Sequence, residues 1–219
     1  MGKTNPSKST PRKGMIKLKP INKGYVRLRI RGLSELIHHK WSEKAKEMIR
    51  LKKAGKKTKD RVPCSPEEEY EAATYRTDDG ECGIPLTSIK SAILSAAHKD
   101  LGVEKTLVRK ALFILGSSER GTVLPLEYED RRMEEDPVRV GVGSADLRYR
   151  PYYRGWGVVL TIELDLELLT VEDLITLINR AGFGVGIGEK RPEKGGGNGR
   201  FEVDVSFPVQ QAATISELD

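Results

Sequence analysis

Cysteine is scarce in this chain, with only Cys64 and Cys82 in 219 residues. Both lie in a polar stretch, and one pair is too few for a disulfide framework, so free thiols in a reducing compartment are expected. Histidine is almost as rare, limited to His38, His39 and His98, and no Cys-x-x-Cys pair occurs. A zinc site would have to join His38 or His39 to Cys64 and Cys82 at spacings unlike those of zinc motifs, so neither a metal nor a cofactor is expected. No apolar run approaches the length that spans a bilayer, and the opening MGKTNPSKSTPRKG lacks the apolar centre of a secretory signal. The expectation is a soluble cytoplasmic protein with no membrane partner. The absence of any G-x-x-x-x-G-K-[ST] excludes a P-loop nucleotidase.

Positive charge, by contrast, is plentiful and uneven. Residues 1–23 contain Lys3, Lys8, Arg12, Lys13, Lys17, Lys19 and Lys23 with no acid, which exceeds the whole chain's +6 and leaves the remainder near neutrality. This segment also combines Pro, Ser and Gly with little apolar content and reads as a disordered arm. A second basic block covers residues 40–61. Acids cluster at 67–71 and 127–136, so the surface is bipolar, which suits nucleic acid and head-to-tail contacts between copies.

The densest unusual pattern is GFGVGIGEKRPEKGGGNGRFEVDV at residues 182–205. Seven glycines fall in residues 184–200, interleaved with Lys190, Arg191, Lys194 and Arg200. Such glycine content implies positive φ angles or a close approach by another group, and the interleaved cations suggest that the group is an anion, such as a phosphodiester chain. The competing reading is a mobile surface connection. Gly184, Gly186 and Gly188 follow a helical pattern, whereas the dinucleotide fingerprint follows a strand and opens a helix, so a Rossmann site is not indicated.

Alternation places a strand from Tyr25, with Val26, Leu28 and Ile30 on one face and Arg27, Arg29 and Arg31 on the other. An arginine row is usually a solvated face, but beside a basic glycine loop it suggests phosphate contacts. Helices are expected at 41–53, with Trp41, Ala45 and Met48 on its apolar side, at 67–74 and at 85–102. Strands are expected at 122–128 and 156–165. Residues 170–181 form the clearest helix, with Thr170 and Asp173 as a capping box and Gly182 at its end. A last strand alternates Phe201, Val203 and Val205 with Glu202 and Asp204. The resulting order is an α+β fold with a ferredoxin-like, RRM-type βαββαβ core, a helical insertion at 34–81 and a thumb-like β-hairpin at 129–155. The tail at 208–219 is expected to be flexible.

DLRYRPYYRGW sets Arg148, Arg150 and Arg154 among Tyr149, Tyr152, Tyr153 and Trp156. Rings that stack on bases and guanidiniums that pair with phosphates suit a single-strand binder. Aromatics that pack on the core or on a second copy are the alternative.

The loop at 182–205 resembles the glycine-rich loop of the RAMP superfamily of CRISPR-associated proteins, and ECGIPLTSIKSAILSAA resembles the Pro-x-Ser-Ser-Leu-Lys-Gly segment of effector-complex backbone subunits. Pro85, Ser88, Ile89 and Lys90 match that segment, while Leu86, Thr87 and Ser91 depart from it. The chain also resembles uncharacterised proteins carried by bacteriophages. The resemblance implies that residues 24–207 are a single RAMP-like domain in a bacterial or phage-infected cell. Ser88, Lys90 and the glycine loop with Gly186 and Gly188 would hold a guide RNA backbone, and the hairpin would reach a neighbouring subunit. Partners would be RNA or single-stranded DNA, further copies of the chain, and other effector subunits.

For catalysis the candidates are His38 and His39 with Lys40 beside them, as in a metal-independent ribonuclease. Adjacent residues on an extended segment point in opposite directions, so at most one histidine could serve. Target-cleaving relatives use an aspartate after the first strand, and LIHHKW has none. Binding without cleavage is therefore expected, with His38 and Lys40 among the contacts, and a phage structural protein or an endoribonuclease as alternatives.

Overall fold

The computed structural model describes residues 20–41, 43–55, 65–118, 121–140 and 144–218. Most of the basic arm, part of the second basic block, and Cys64 lie outside the described residues. In chain order the elements are β1 (Lys23–Gly32), β2 (Leu36–Ile37), α1 (Glu43–Lys53), α2 (Pro66–Ala72), β3 (Gly83–Pro85), α3 (Leu86–Asp100), α4 (Lys105–Ala111) and β4 (Leu112–Ile114). They are followed by β5 (Val123–Pro125), β6 (Asp130–Val140), β7 (Ser144–Arg154), β8 (Gly157–Asp165), α5 (Val171–Arg180), β9 (Phe201–Val203) and β10 (Gln210–Ala212). The architecture is α+β with antiparallel sheets. No helix among the described residues is long and apolar enough to cross a membrane.

The main sheet runs β10-β1-β8-β4, with β9 also on β1. β10 pairs with β1 at Tyr25–Arg27 and β9 pairs with it at Ile30–Gly32, so these two short strands divide one edge of β1 between them. The alternation read in β1 follows from burial. Val26, Leu28 and Ile30 are inaccessible and meet Val158, Leu160, Ile162 and Leu164 of β8 in one core, against which Ile89, Ile93, Ala96 and Ala97 of α3 and Leu174, Leu177 and Ile178 of α5 pack. Both helices therefore lie on the same face of the sheet.

α5 starts where expected. The Thr170 hydroxyl accepts from the Asp173 amide and the Asp173 carboxylate accepts from the Thr170 amide. The helix then widens into a π turn at Ala181–Val185, where Gly182 lies so close to the Phe201 carbonyl that a Cβ would sit 1.8 Å from its oxygen.

Several expectations need correction. The second strand of the main sheet is β4, not residues 122–128: Leu112 and Ile114 pair with β8, whereas β5 forms a separate ladder with β3. The C-terminal residues expected to fray instead form β10 and a 3-10 turn at Ile215–Glu217, and Leu218 is buried, with its carbonyl accepting a 2.7 Å bond from Arg27 Nη1. The apolar side expected of α1 stays largely open, with Trp41 and Met48 exposed. Residues 130–140 and 144–154 do form a long two-stranded ladder, β6 with β7, which β2 joins through Leu36 and Ile37.

Candidate nucleic-acid interface

A cleft of about 320 Å³ opens where β2, the start of α3 and the glycine loop converge. One wall is the first turn of α3, with Thr87, Ser88 and Ser91. The other is Ile187, Gly188, Glu189 and Arg191, and the floor is Leu36, Ile37 and His38, with His39 and Tyr75 beside it. Segments about a hundred residues apart in sequence thus face each other across one opening.

The first turn of α3 has Pro85 at its N-cap, and no side chain caps it. The early amides of a helix have no partner within the helix, and its dipole favours negative charge at that end. Leu86 alone is satisfied in trans, its amide donating to the Thr122 carbonyl. An uncapped fifteen-residue helix that opens into a cleft beside an arginine is suited to an anion.

The glycine loop is built rather than slack. The Glu189 amide donates to the Ile37 carbonyl and the Gly199 amide to the Glu35 carbonyl, which fastens the loop to β2 and the residues before it. Ser95 Oγ of α3 donates to Glu193 at 2.9 Å, and Glu193 in turn accepts from Arg191 at 3.1 Å, so α3 orients the guanidinium. Gly188 (φ +76°) requires glycine because a Cβ would stand 2.5 Å from the Ile37 carbonyl oxygen. At Gly188, Gly196 and Gly199 the glycine thus reflects the close approach of the chain to itself.

Lys190, at φ 50°, turns away from the cleft. Its Nζ donates to Asp136 Oδ1 at 2.5 Å and to the Tyr152 hydroxyl at 2.9 Å. Asp136 also accepts from the Tyr152 hydroxyl at 2.7 Å and from Arg150 Nη1 at 3.2 Å, and both Asp136 and Arg150 are buried. Burial pushes the Asp136 carboxyl up, but the bonds from Lys190 and Tyr152 outweigh it and the net shift is downward. This hub locks the glycine loop to the hairpin.

His38 is 2 % exposed, and neither ring nitrogen has a hydrogen-bond partner. The ring packs edge-on to Tyr75 (centroids 5.4 Å apart) and tilted against Tyr153 (4.7 Å). Burial, with a smaller contribution from Arg131, brings its pKa down to about 3, so the imidazole is neutral at physiological pH. His39 is also lowered, chiefly by burial.

The cleft gathers Ser88, Gly188, Arg191 and, at its floor, His38 from the residues expected to bind nucleic acid. The remaining candidates are elsewhere. The arginine row is engaged internally. Arg29 pairs with Glu127 and with Asp204, Arg31 bonds Glu202 at 2.6 Å, and Arg27 holds the Leu218 carbonyl. The register explains this, because Arg31 lies opposite Glu202 and the Asp204 amide donates to the Arg29 carbonyl. Lys90 leaves the site and donates to the Leu112 carbonyl at 2.7 Å, with its ammonium 4.4 Å from the Phe113 ring centre.

Most of the hairpin aromatics are not free to stack on bases. Trp156 is in the core, its indole N–H donating to the Ser34 carbonyl, and Tyr153 is inaccessible between His38 and Tyr128. Tyr152 is buried at the Asp136 hub, and Tyr149 donates to Glu135 at 2.8 Å. Arg148 pairs with Asp146. Arg154 and Lys194 are exposed and Lys40 is half-buried, all away from the cleft lining. Arg200 lies 5.3 Å from the Phe183 ring centre, and Gly186 (φ +69°) shapes the loop behind the cleft.

Tyr75 and Glu189 belong to the cleft and carry no sequence pattern of their own, although Glu189 is the only acid in residues 184–192. Among the described residues no three His, Cys, Asp or Glu side chains converge as a metal site. No protein-family model and no curated protein matches the chain.

Proposed function

We propose that this protein is a non-catalytic RNA-binding protein with a ferredoxin-like core of the RAMP type, which grips the backbone of a single strand and assembles with further copies along it. The observation that carries this reading is the meeting of residues 84–91 and 187–191 across one cleft, beside an uncapped helix start and an oriented Arg191. Both segments are those that resemble RNA-holding motifs. The sheet order β9-β1-β8-β4, with α3 and α5 on one face, supports a ferredoxin-like core.

The contact set is narrower than residue types suggest. Phosphates would meet the α3 amides, the Ser88 and Ser91 hydroxyls and Arg191, while the arginine row and the inner hairpin residues support the fold. His38 is not suited to act as the base of a ribonuclease, because ring nitrogens sealed from solvent cannot take a 2′-hydroxyl proton. Exposed Met133 and Leu147 on the β6–β7 ladder are suited to contact with a neighbouring copy.

Those two residues also favour a second reading, a particle or assembly protein that joins copies without nucleic acid. Size exclusion of the purified protein, with absorbance at 260 and 280 nm and nuclease digestion of the eluate, separates the two. Co-eluting RNA whose digestion disperses the assembly supports the first reading. An assembly that persists through nuclease treatment and contains no nucleic acid overturns it.

A further inference from the structure

We infer that the cleft reads one base of the bound strand and that the base it selects is guanine. This rests on the RNA-binding reading and adds a specificity to it.

Glu189 and Lys190 are adjacent but leave the loop in different directions. Lys190 sends its ammonium to Asp136, whereas Glu189, fixed by its amide on the Ile37 carbonyl, lines the cleft. The Glu189 carboxylate forms no hydrogen bond and no ion pair with the described residues. Its electrostatic neighbours are Tyr75 and His39. This half-buried carboxylate, with no hydrogen-bond partner among the described residues and set in a cleft otherwise suited to an anion, is unfavourable for phosphate alone and suits a ligand that also has donors.

The rest of the cleft fits a nucleoside. Its volume of about 320 Å³ lies at the lower end of small-ligand sites. Pro85 supplies apolar surface and Tyr75 an aromatic one, both half-buried, while the phosphate-binding end is the start of α3 with Arg191. A base would lie against the apolar side with its polar edge toward Glu189.

Base chemistry then selects. An ionised carboxylate only accepts hydrogen bonds. Guanine alone among the four RNA bases presents two adjacent donors, N1–H and N2–H, on its Watson–Crick edge. Adenine and cytosine each set one amino donor beside a ring acceptor, and uracil flanks its single N–H with two carbonyls. Each of these three brings an acceptor against the carboxylate.

The test is fluorescence anisotropy with labelled adenosine decaribonucleotides that carry guanosine, inosine or adenosine at one central position, titrated with the full chain and with Glu189→Gln. A bidentate carboxylate–guanine pair predicts a preference of about tenfold or more for guanosine over adenosine. Inosine, which keeps N1–H and lacks the amino group, is expected between them. In Glu189→Gln the ratio of the adenosine and guanosine dissociation constants should fall to about 1. Equal affinity of the natural chain for all three decamers, or a ratio unchanged in Glu189→Gln, overturns the guanine inference while leaving RNA binding intact. Failure of the natural chain to bind any decamer overturns the RNA-binding reading itself and this inference with it.

Discussion

Lowering the pH from 7 to 5 should destabilise this protein mainly through its histidines, and His38 allows the size of the effect to be worked out. Its ring is buried among Tyr75 and Tyr153, with Arg131 contributing a repulsive charge, and its pKa falls from 6.5 to about 3. In the unfolded chain the imidazole takes up a proton below about pH 6.5, whereas the folded chain resists until about pH 3. Stability is therefore lost as pH falls through the unfolded value, and a single group so shifted costs about 2 kcal/mol between pH 7 and pH 5. His39 is shifted in the same sense and adds to the loss. Lowered carboxyl groups such as Asp136 respond at more acidic pH, so this window belongs to the histidines. Urea unfolding at pH 5, 6 and 7, followed by fluorescence of the buried Trp156, measures the slope. His38→Leu replaces the ring with an apolar side chain of similar volume, and its loss between pH 7 and 5 should be smaller by about 2 kcal/mol. Whatever the variant gains or loses in packing is common to all three pH values and cancels in the slope. Identical slopes for the two proteins would refute the account of His38 as a neutral, sealed imidazole.

Other perturbations separate structural charges from surface ones. Asp136→Ala leaves the buried Arg150 cation without its carboxylate and should cost about 3–5 kcal/mol in urea unfolding. Lys190→Ala removes a half-exposed partner of the same carboxylate and should cost no more than about 1 kcal/mol. Gly199→Ala forces a side chain into positive φ and within 1.8 Å of the Ile187 carbonyl oxygen, and should lower the unfolding midpoint sharply. Gly197→Ala meets nothing within 4 Å and should leave stability unchanged or raise it by about 0.5 kcal/mol in the same melt.

Strong local signals were legible in the sequence and long-range register was not. The alternation of β1 and the cap of α5 each depend on neighbouring residues, and both appear where their pattern places them. β4 has three residues and follows directly on α4, too short for a period-two signal, so the sequence pattern favours the longer apolar stretch at 122–128 instead. The arginines of β1 and the acids Glu202 and Asp204 were both visible as alternating rows. Only their pairing across β1 and β9 shows that Arg31 meets Glu202 and that Arg29 lies beside Asp204. The density of rings in residues 149–156 was equally plain, but strand burial turns Tyr153 and Trp156 inward. Within the cleft, Ser88, Gly188 and Arg191 stood in recognisable segments. Tyr75 and Glu189 reach the same place only through the fold.

The central claim is that the cleft at the start of α3 holds the RNA backbone, and Ser88→Asp tests it most directly. An acid in the first turn of a helix favours the dipole, so the variant should fold as well as the natural chain or better. The same carboxylate would stand where a phosphate is proposed to bind. Anisotropy titration of a labelled single-stranded RNA at several salt concentrations should show affinity weakened about tenfold or more and a shallower salt dependence. A Ser88→Asp protein that melts normally and binds RNA with unchanged affinity and salt slope would contradict the account.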